Sequence, residues 1–268
     1  MTEHLIKQMP TKSRILAVAN QKGGVGKTTT TINLATALAA VKKKVLIIDL
    51  DPQGNASTGL GIKPESRERN TYHVVIGEYP LAEAIYETEI PGLHLVPSGI
   101  DLTGAEIELI DFERREYCLK DALEGIEEKF DYVLIDCPPA LGLLTVNALV
   151  AAQAVLVPLQ CEFFALEGIS HLCRTIERVA GKFNPGLDIQ GIVLTMFDKR
   201  NNLSSMVADD ARAFFGDKVY KTVIPRNVRI SEAPSHGRPV LVYDMSCAGS
   251  QAYLHLASEV IHREGIHI

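Results

Sequence analysis

The chain contains one segment whose residue types suit it to hold an anion, the glycine-rich stretch Lys22–Thr29 (KGGVGKTT). Glycines let a backbone turn so that its N–H groups converge on phosphate oxygens. The amine of Lys27 can reach the β- and γ-phosphates of a nucleotide, and the Thr28 hydroxyl can ligate Mg²⁺. A helix starting near Lys27 adds the positive end of its dipole. We therefore predict phosphate-binding residues Lys22, Gly23, Gly24, Val25, Gly26, Lys27, Thr28 and Thr29.

The front of this loop departs from the usual pattern G-x-x-x-x-G-K-[ST]. Gln21 stands where the first glycine is expected, and Lys22 adds a second lysine. On spacing alone Lys22 can be an ordinary surface lysine. From inside the loop it is poorly placed to reach the γ-phosphate of its own subunit, but it could reach that of a neighbouring subunit.

Three acidic residues follow apolar runs of the chain. Asp49 and Asp51 end one run in IDLDPQGN, and Asp136 ends another in LIDCPP. In open α/β sheets, ligands bind beyond the carboxyl ends of the strands, so all three can converge on the glycine loop. A Mg²⁺-bound ATP needs anionic metal ligands and an acceptor that orients the attacking water. Asp136 suits the metal role and Asp51 suits the water-positioning role. The predicted metal-site residues are Thr28, Asp49, Asp51 and Asp136.

Short apolar runs alternate with helical patterns along the chain, which is typical of a mostly parallel sheet covered on both faces. The predicted strands are Ile15–Asn20, Val45–Asp49, Leu93–Pro97, Tyr132–Asp136, Ala154–Pro158 and Ile189–Thr195. The predicted helices are Thr28–Ala40, Tyr117–Lys129, Leu144–Ala152, Leu166–Lys182, Ser204–Phe215 and Ser250–Arg263. The pattern predicts a single α/β domain over residues 15–268 after a flexible N-terminal tail at 1–14. The polar segment Gly61–Tyr79 is predicted to be irregular and mobile.

Composition narrows the class of protein. The chain has 268 residues, 46% of them hydrophobic, which allows a large core. It lacks a run of 18 apolar residues, and its polar N-terminus lacks the apolar stretch of a secretory signal. Five scattered cysteines without a CxxC pair indicate a reducing cytosol.

The charge is unevenly distributed. Residues 171–240 carry eleven Lys/Arg and seven acids, a net +4, whereas the rest of the chain carries −10. A basic face in an acidic protein permits polyanion binding. Ordinary solvated helix faces explain the same counts about equally well.

Four motifs together resemble the ParA/Soj chromosome- and plasmid-partition ATPases, members of the deviant Walker A group of P-loop ATPases. The motifs are NQKGGVGKTTTTINL, DLDPQGNASTGLG, LIDCPP and VIPRNVRISEAPS. The resemblance extends from about Arg14 to Arg263. It implies a P-loop NTPase fold of the short type, which has no DNA-reading domain before Ile15.

The resemblance also implies residue roles. Lys22 matches the lysine that crosses an ATP-sandwiched dimer, and Lys27 and Asp51 complete the catalytic set. Pro225 and Asn227, in the IPRN stretch, match the segment that holds the adenine. The expected cofactors are ATP and Mg²⁺.

The resemblance further implies a cycle on DNA. The ATP-bound homodimer binds double-stranded DNA without sequence preference, and a ParB-type centromere-binding protein stimulates its slow hydrolysis. The protein is then cytoplasmic and nucleoid-associated. Such binding is mostly phosphate neutralisation, and the predicted DNA-binding residues are Lys199, Arg200, Lys221, Arg226 and Arg229.

Three alternatives share the glycine loop. A MinD-type membrane-surface ATPase needs a basic amphipathic tail helix, but the last helix has Arg263 as its only firm positive charge, so stable membrane association is not expected. An iron–sulfur carrier would have to use Cys137 and Cys161, which form no paired cluster motif. A scaffold that binds ATP without turnover would not need Asp51.

Overall fold

The computed structural model describes residues 13–162 and 165–265. Its eight strands are β1 Arg14–Val18, β2 Val45–Asp49, β3 Tyr86–Glu87, β4 Leu93–Val96, β5 Tyr132–Asp136, β6 Ala154–Gln160, β7 Asp188–Phe197 and β8 Val219–Pro225. Its α-helices are α1 Lys27–Ala40, α2 Asn55–Gly59, α3 Thr71–Val75, α4 Leu102–Glu108, α5 Cys118–Ala122, α6 Leu143–Ala151, α7 Ala165–Lys182, α8 Asn202–Phe215, α9 Val228–Glu232, α10 Val240–Tyr243 and α11 Ala248–Arg263.

The strands form one sheet in the order β3-β4-β2-β5-β1-β6-β7-β8, and only the β3–β4 pairing is antiparallel. Apolar side chains on the two faces of the sheet pack into two separate buried clusters. One cluster lies under α3–α8 and the other under α1, α2, α10 and α11. The predicted α/β architecture is therefore confirmed.

The strand order reverses around β1, which lies between β5 and β6. The chain leaves β1 for α1 and returns at β2, on the far side of β5. This reversal opens a crevice beyond the carboxyl ends of the strands, the usual ligand position in open α/β sheets. The glycine loop follows β1 and therefore lies in that crevice.

The prediction of one helix over Tyr117–Lys129 is wrong. Helix α5 ends at Ala122, and Gly125 then adopts a left-handed φ of +76°, which a continuous helix does not allow. A short 3₁₀ turn covers Glu127–Lys129. The apolar pattern of the segment is real, but it comes from two short pieces.

Two other expectations need correction. Ser13 is fully buried and Arg14 is the first residue of β1, so the folded region reaches into the predicted tail, whose residues 1–12 lie outside the described residues. The segment Gly61–Tyr79 is not irregular throughout, because it contains α3. Asn70 and His73 form a capping box at the start of α3, which fixes where that helix begins.

Candidate nucleotide-binding site

The backbone of the glycine loop takes conformations that favour glycine. Gly24 has a φ of +74° and Gly26 a φ of +90°, both in the left-handed region. The loop is held from below, because Val25 is buried and its carbonyl accepts a hydrogen bond from Thr195 Oγ1 at 2.8 Å. Glycine is therefore required at 24 and 26 by backbone geometry, as the phosphate-loop prediction expects.

Helix α1 begins at Lys27, directly after Gly26, and has no acidic residue in its first turn. Its free N–H groups and the positive end of its dipole face the crevice. Thr28 and Thr29 lie in this first turn and line the same cavity as Gly23, Gly24 and Gly26. The arrangement is an anion site built from backbone and helix terminus.

Lys27 is buried, and its Nζ donates a hydrogen bond to the carbonyl of Lys22 at 3.2 Å. Burial lowers the pKa of Lys27, while the nearby carboxyl groups of Asp136 and Asp51 oppose that shift. A desolvated ammonium beside a cavity is strongly stabilised by an anion placed there. Lys27 therefore suits the phosphate-binding role predicted for it.

Asp49 and Asp136 are paired across neighbouring strands β2 and β5, and both are fully buried. Burial raises the pKa of Asp136, and the negative charge of Asp49 raises it further, while hydrogen bonds from Thr28 and Thr31 lower it. Burial also raises the pKa of Asp49. Two carboxyl groups packed together inside the protein favour a nearby cation.

The oxygens of Asp136 are free enough to serve a metal. Oδ1 accepts a hydrogen bond from Thr31 Oγ1 at 3.1 Å, but Oδ2 is buried without a partner in the described structure. A buried carboxylate oxygen without a partner is costly unless something binds it. With the Thr28 hydroxyl beside it, the site fits Mg²⁺, which commonly takes one or two protein oxygens and completes its shell with phosphates and water.

Both carboxylate oxygens of Asp49 already accept hydrogen bonds from other groups of the chain. Its Oδ2 accepts bonds from the Ser57 amide at 2.8 Å and the Ser57 hydroxyl at 2.6 Å, and its Oδ1 accepts one from the Asp51 amide at 3.3 Å. Asp49 therefore fixes the loop after β2. The described residues contain no preformed group of three His, Cys, Asp or Glu side chains placed to hold a metal, so a closed site using Asp49, Asp51 and Asp136 together is not observed.

Asp51 lies at the wall of the cavity and is 7% exposed. Its Oδ1 accepts a hydrogen bond from the Gln53 amide at 3.0 Å, and its carbonyl accepts one from the Gly54 amide at 2.8 Å. These bonds close a tight turn, which holds Asp51 in the wall of the cavity that the glycine loop also lines. The predicted water-positioning role of Asp51 is compatible with this placement.

Two adjoining cavities follow the glycine loop. The larger, about 750 Å³, is lined by the loop, Asp51, Pro138 and Arg238. The smaller, about 350 Å³, is lined by Pro225, Arg226, Asn227, Ile230 and Tyr253 among others. Gly26, Thr29, Met196 and Pro234 line both. Two cavities that share part of their wall, the larger of them lined by the glycine loop, match a triphosphate followed by a base.

The smaller cavity contains the predicted adenine residues. Pro225 ends β8, and the Asn227 side chain caps α9 by accepting a hydrogen bond from the Arg229 amide at 2.8 Å. Asn227 thus fixes the turn that forms the cavity wall. Arg226 lines this cavity as well, so its predicted DNA role competes with a place beside the base.

Met196 and Arg238 are among the cavity residues that the sequence reasoning missed. Met196 follows Thr195 at the end of β7 and has a φ of +52°, which is unfavourable for a residue with a side chain. Arg238 lines the larger cavity, 212 residues after Gly26 in the chain. No local motif marks Met196. Arg238 lies within the basic stretch 171–240, where the charge count does not distinguish it from the other arginines.

Lys22 lies at the rim of the loop with its side chain 40% exposed. Its Nζ contacts Glu162 Oε2 at 3.0 Å, and its amide donates to Asn20 Oδ1 at 3.0 Å. The two loop lysines therefore face opposite ways, since Lys27 is turned inward and Lys22 outward.

The structure brings three of the predicted DNA-binding residues together. Lys199 and Arg200 follow β7, and Arg226 follows the adjacent β8, where its amide donates to the Phe197 carbonyl at 3.0 Å. Arg200 is bound to Asp198. Together they form an exposed basic edge at the carboxyl ends of β7 and β8.

The other two predicted DNA-binding residues are placed differently. Arg229 lies on α9 close to the basic edge and is paired with Glu232 at 2.9 Å and Asp244 at 3.5 Å. Lys221 lies within β8, five residues before Arg226, which at the rise of a strand is about 16 Å away. Lys221 therefore belongs to the outer edge of the sheet rather than to its carboxyl end.

The cysteines do not form a cluster site. All five are free, and Cys137 and Cys161 are buried. Burial raises the pKa of both thiols, that of Cys161 to about 11. Neither thiol belongs to a group of three His, Cys, Asp or Glu side chains placed to hold a metal within the described part of the chain, which disfavours that alternative.

The sequence of the chain is similar to a protein family and to several known proteins. A family model described as an AAA domain matches residues 13–189. Chromosome partitioning protein ParA of Caulobacter vibrioides is 65% identical over 253 residues, which cover 94% of this chain and 95% of that protein. Sporulation initiation inhibitor protein Soj of Bacillus subtilis is 50% identical, with 92% and 98% coverage.

Solved structures share the fold. Cobyrinic acid a,c-diamide synthase of Mycobacterium smegmatis, with a bound ATP analogue and magnesium, has a TM-score of 0.83 at 38% identity, covering 94% of this chain and 96% of that one. Cell division ATPase MinD of Pyrococcus furiosus has a TM-score of 0.78 at 28% identity, covering 93% and 99%. The fold alone therefore does not separate these activities.

A P-loop ATPase is the class that the fold and the glycine loop define. Within that class the extent and level of identity decide the family. The chain belongs to the ParA/Soj family of chromosome-partitioning ATPases.

Proposed function

We propose that the protein is an ATP-dependent DNA-partition ATPase that works as a nucleotide-gated dimer. ATP with Mg²⁺ occupies the glycine loop, and two subunits close around their nucleotides. The dimer binds DNA without sequence preference. Slow hydrolysis, stimulated by a ParB-type centromere-binding partner, returns it to the free state. The cargo is a chromosome or plasmid, and the protein works in the cytoplasm on the nucleoid.

The observation that carries this proposal is the opposite orientation of two lysines in one loop. Lys27 faces the cavity and can neutralise phosphate in its own subunit, whereas the Lys22 side chain points outward at the rim. A half-exposed ion pair such as Lys22–Glu162 is worth little in water. Lys22 is therefore cheap to release toward the phosphates of a second copy.

The acids then take separate roles. Asp136 and Thr28 hold Mg²⁺, which neutralises charge on the phosphates. Asp51 orients the attacking water from the cavity wall. Asp49 keeps the Asp51 turn in place through its bonds to the Asp51 amide and Ser57.

A MinD-type membrane role is disfavoured by the last helix. Leu256, Val260 and Ile261 of α11 are fully buried, so the apolar stripe of this helix packs on the core and is not offered to a bilayer. Within the described part of the chain, no helix is both long and apolar enough to cross a membrane. ATP-dependent sedimentation with liposomes would nevertheless overturn the partition assignment.

A DNA pull-down with ATP, ADP or no nucleotide tests the proposal. We expect retention on DNA with ATP and Mg²⁺ only, and the retained species should run as a dimer by light scattering. Lys22→Ala should bind ATP but remain monomeric, whereas Lys120→Ala, an exposed lysine on α5, is the control and should behave as the parent. Equal retention in all three nucleotide states would contradict a nucleotide-gated cycle.

A further inference from the structure

One arginine, Arg67, is buried beside the candidate site although it does not line the cavity. It is 8% exposed and precedes α3 in the segment that was predicted to be irregular. Arginine is rarely buried unless its donors are satisfied. The groups that accept hydrogen bonds from Arg67 therefore indicate why this arginine is buried.

The guanidinium of Arg67 donates only to neutral oxygens in the described structure. Nη1 reaches the Ser98 carbonyl at 2.9 Å, Nη2 reaches Thr58 Oγ1 at 2.8 Å, and Nε and Nη2 reach the Ile62 carbonyl at 3.2 and 2.7 Å. Burial lowers the pKa of Arg67, while the negative charge of Asp49 opposes that shift. The planar guanidinium of Arg67 thus links three segments by hydrogen bonds: α2, the loop after α2 and the loop after β4.

The same guanidinium lies directly against Gly54. A methyl group placed on Gly54 would come within 2.2 Å of Arg67 Nη1 and 3.0 Å of the Ser98 carbonyl. Gly54 also has a left-handed φ of +61°. Its carbonyl accepts a bond from Thr58 Oγ1 at 3.0 Å, the hydroxyl to which Arg67 donates.

Gly54, which Arg67 contacts, is itself hydrogen-bonded to Asp51. The Gly54 amide donates to the Asp51 carbonyl at 2.8 Å, which closes the turn that begins at Asp51. On its other side α2 is fixed by Ser57, which donates to Asp49 and accepts from the Ser98 amide at 2.9 Å. The turn that carries Asp51 is therefore clamped between a buried carboxylate and a buried guanidinium.

We propose that Arg67 is a positioning residue for ATP hydrolysis, which holds the Asp51–Gly59 segment so that Asp51 faces the attacking water. Arg67 acts through Gly54 and Thr58 and does not touch the nucleotide. This inference rests on the proposed water-positioning role of Asp51. It predicts that the loss of Arg67 slows the chemical step and spares ATP affinity, because the glycine loop and Lys27 are held by other contacts.

The geometry also specifies a guanidinium. The acceptors at Ser98, Thr58 and Ile62 lie in different directions around one plane. A planar fork with five donors serves all of them, whereas a lysine ammonium is a single point at the end of a flexible stem. Arg67→Lys keeps the charge but not the clamp, so we expect it to fail nearly as badly as Arg67→Ala.

The test is single-turnover hydrolysis of ATP with the full chain in excess, together with the Kd for a fluorescent ATP analogue. Arg67→Lys and Arg67→Ala should lower the hydrolysis rate constant by about 10-fold or more, since small displacements of a catalytic group are costly, and should change the Kd by less than about 3-fold. Arg69→Lys, an exposed arginine paired with Glu83, is the matched control and should equal the parent.

Two further measurements separate positioning from general stabilisation. Millimolar guanidinium chloride should restore part of the rate of Arg67→Ala but none of that of Arg67→Lys, in which the stem fills the space. Thr58→Val removes the hydroxyl between Arg67 and Gly54. It should lower the rate by itself, yet add little to Arg67→Lys, because both changes break the same link. Thr58 is exposed, so this variant is expected to fold even if the Arg67 variants do not. Because Thr58 also lines the larger cavity, a lower rate supports the inference only with a Kd within about 3-fold of the parent, and a larger rise in the Kd counts against it.

The outcomes are distinguishable. A parental rate constant in Arg67→Lys and Thr58→Val would overturn the inference. So would a rise in the Kd and a fall in the thermal midpoint that accompany the loss of rate, because both would indicate general destabilisation. Asp51→Ala in the same assay isolates the role on which the inference rests. If Asp51→Ala keeps its turnover, the water-positioning role itself is wrong; if only Asp51→Ala is slow, Asp51 acts without Arg67.

Discussion

The candidate nucleotide site and the basic edge both carry positive charge, but they treat it in opposite ways. Lys27 is buried with a lowered pKa next to two buried carboxyl groups. On the basic edge, the Arg200 side chain is 89% exposed, and that of Arg229 nearby on α9 is 52% exposed. The first region is desolvated and organised before any ligand arrives, whereas the second remains hydrated.

This difference sets how the energy of binding is distributed. In a desolvated site one charge can decide the outcome, because its interactions are weakly screened. On a hydrated face each charge contributes a small, salt-dependent share. Arg200 and Arg229 are also paired with acids of their own chain, so part of their charge is already balanced. We therefore expect nucleotide affinity to depend strongly on single residues such as Lys27. DNA affinity should depend on the summed contributions of several exposed basic side chains.

Lys27→Ala tests whether a single buried charge decides nucleotide binding, and it has the largest expected effect. Removing the buried ammonium should weaken ATP binding by about 100-fold or more, as expected for losing a charge-assisted bond in a desolvated site. Isothermal titration with ATP and Mg²⁺ measures the effect, with Lys120→Ala as the exposed control. An ATP affinity within a few-fold of the parent would refute the phosphate-loop assignment.

The carboxyl pair should make the nucleotide-free protein sensitive to pH. Burial raises the folded-state pKa of Asp136 and Asp49 above the ordinary 3.8, so the folded state binds more protons than the unfolded state. The stability this contributes is full below that ordinary value and is lost as the pH rises through the folded pKa.

Urea unfolding without Mg²⁺ or nucleotide measures this dependence. We expect Asp136→Asn to gain stability relative to the parent as the pH rises from about 5 to about 8, because its side chain cannot ionise. Asp188→Asn, an exposed carboxylate paired with Lys218, should show no such gain. If the difference between Asp136→Asn and the parent is constant with pH, the carboxyl pair does not titrate in this range.

The smallest expected effect belongs to Arg229→Glu. Reversing one hydrated charge should weaken DNA binding by about 10-fold at low salt and flatten the salt dependence by one to two counterions, roughly. Fluorescence anisotropy with ATP present measures both quantities. Arg69→Glu makes the same change in net charge away from the basic edge and should retain parental binding. Matching affinities and salt slopes for the two variants would place the DNA contact elsewhere.

Local patterns predicted those parts of the molecule that depend on local physics. All six predicted strands overlap observed strands, namely β1, β2, β4, β5, β6 and β7, whereas β3 and β8 were not predicted. The six strands and the loop–α1 unit are indicated by residue type alone. Asp49, Asp51 and Asp136 could be placed because parallel strands end at a common edge. The ParA/Soj resemblance was confirmed by relatives that are 65% and 50% identical over more than nine-tenths of the chain.

The remaining features depend on contacts between distant segments. Arg67 is recognisable as a buried clamp only when α2, Ser98 and Gly54 surround it, and its sequence neighbours are polar and exposed. Met196 and Arg238 reach the cavities through tertiary placement. The helix predicted over Tyr117–Lys129 failed because one left-handed residue, Gly125, outweighed an apolar pattern that continues past it.

The hydrogen bond from Thr195 to the Val25 carbonyl has a consequence for how far a signal must travel. Strand β7 touches the glycine loop at Thr195, and Lys199 follows only four residues later. Even fully extended, four residues span at most about 14 Å. The glycine loop and the basic edge are thus joined by one short stretch of backbone, so a shift of the loop has only four residues to cross before it reaches the basic edge.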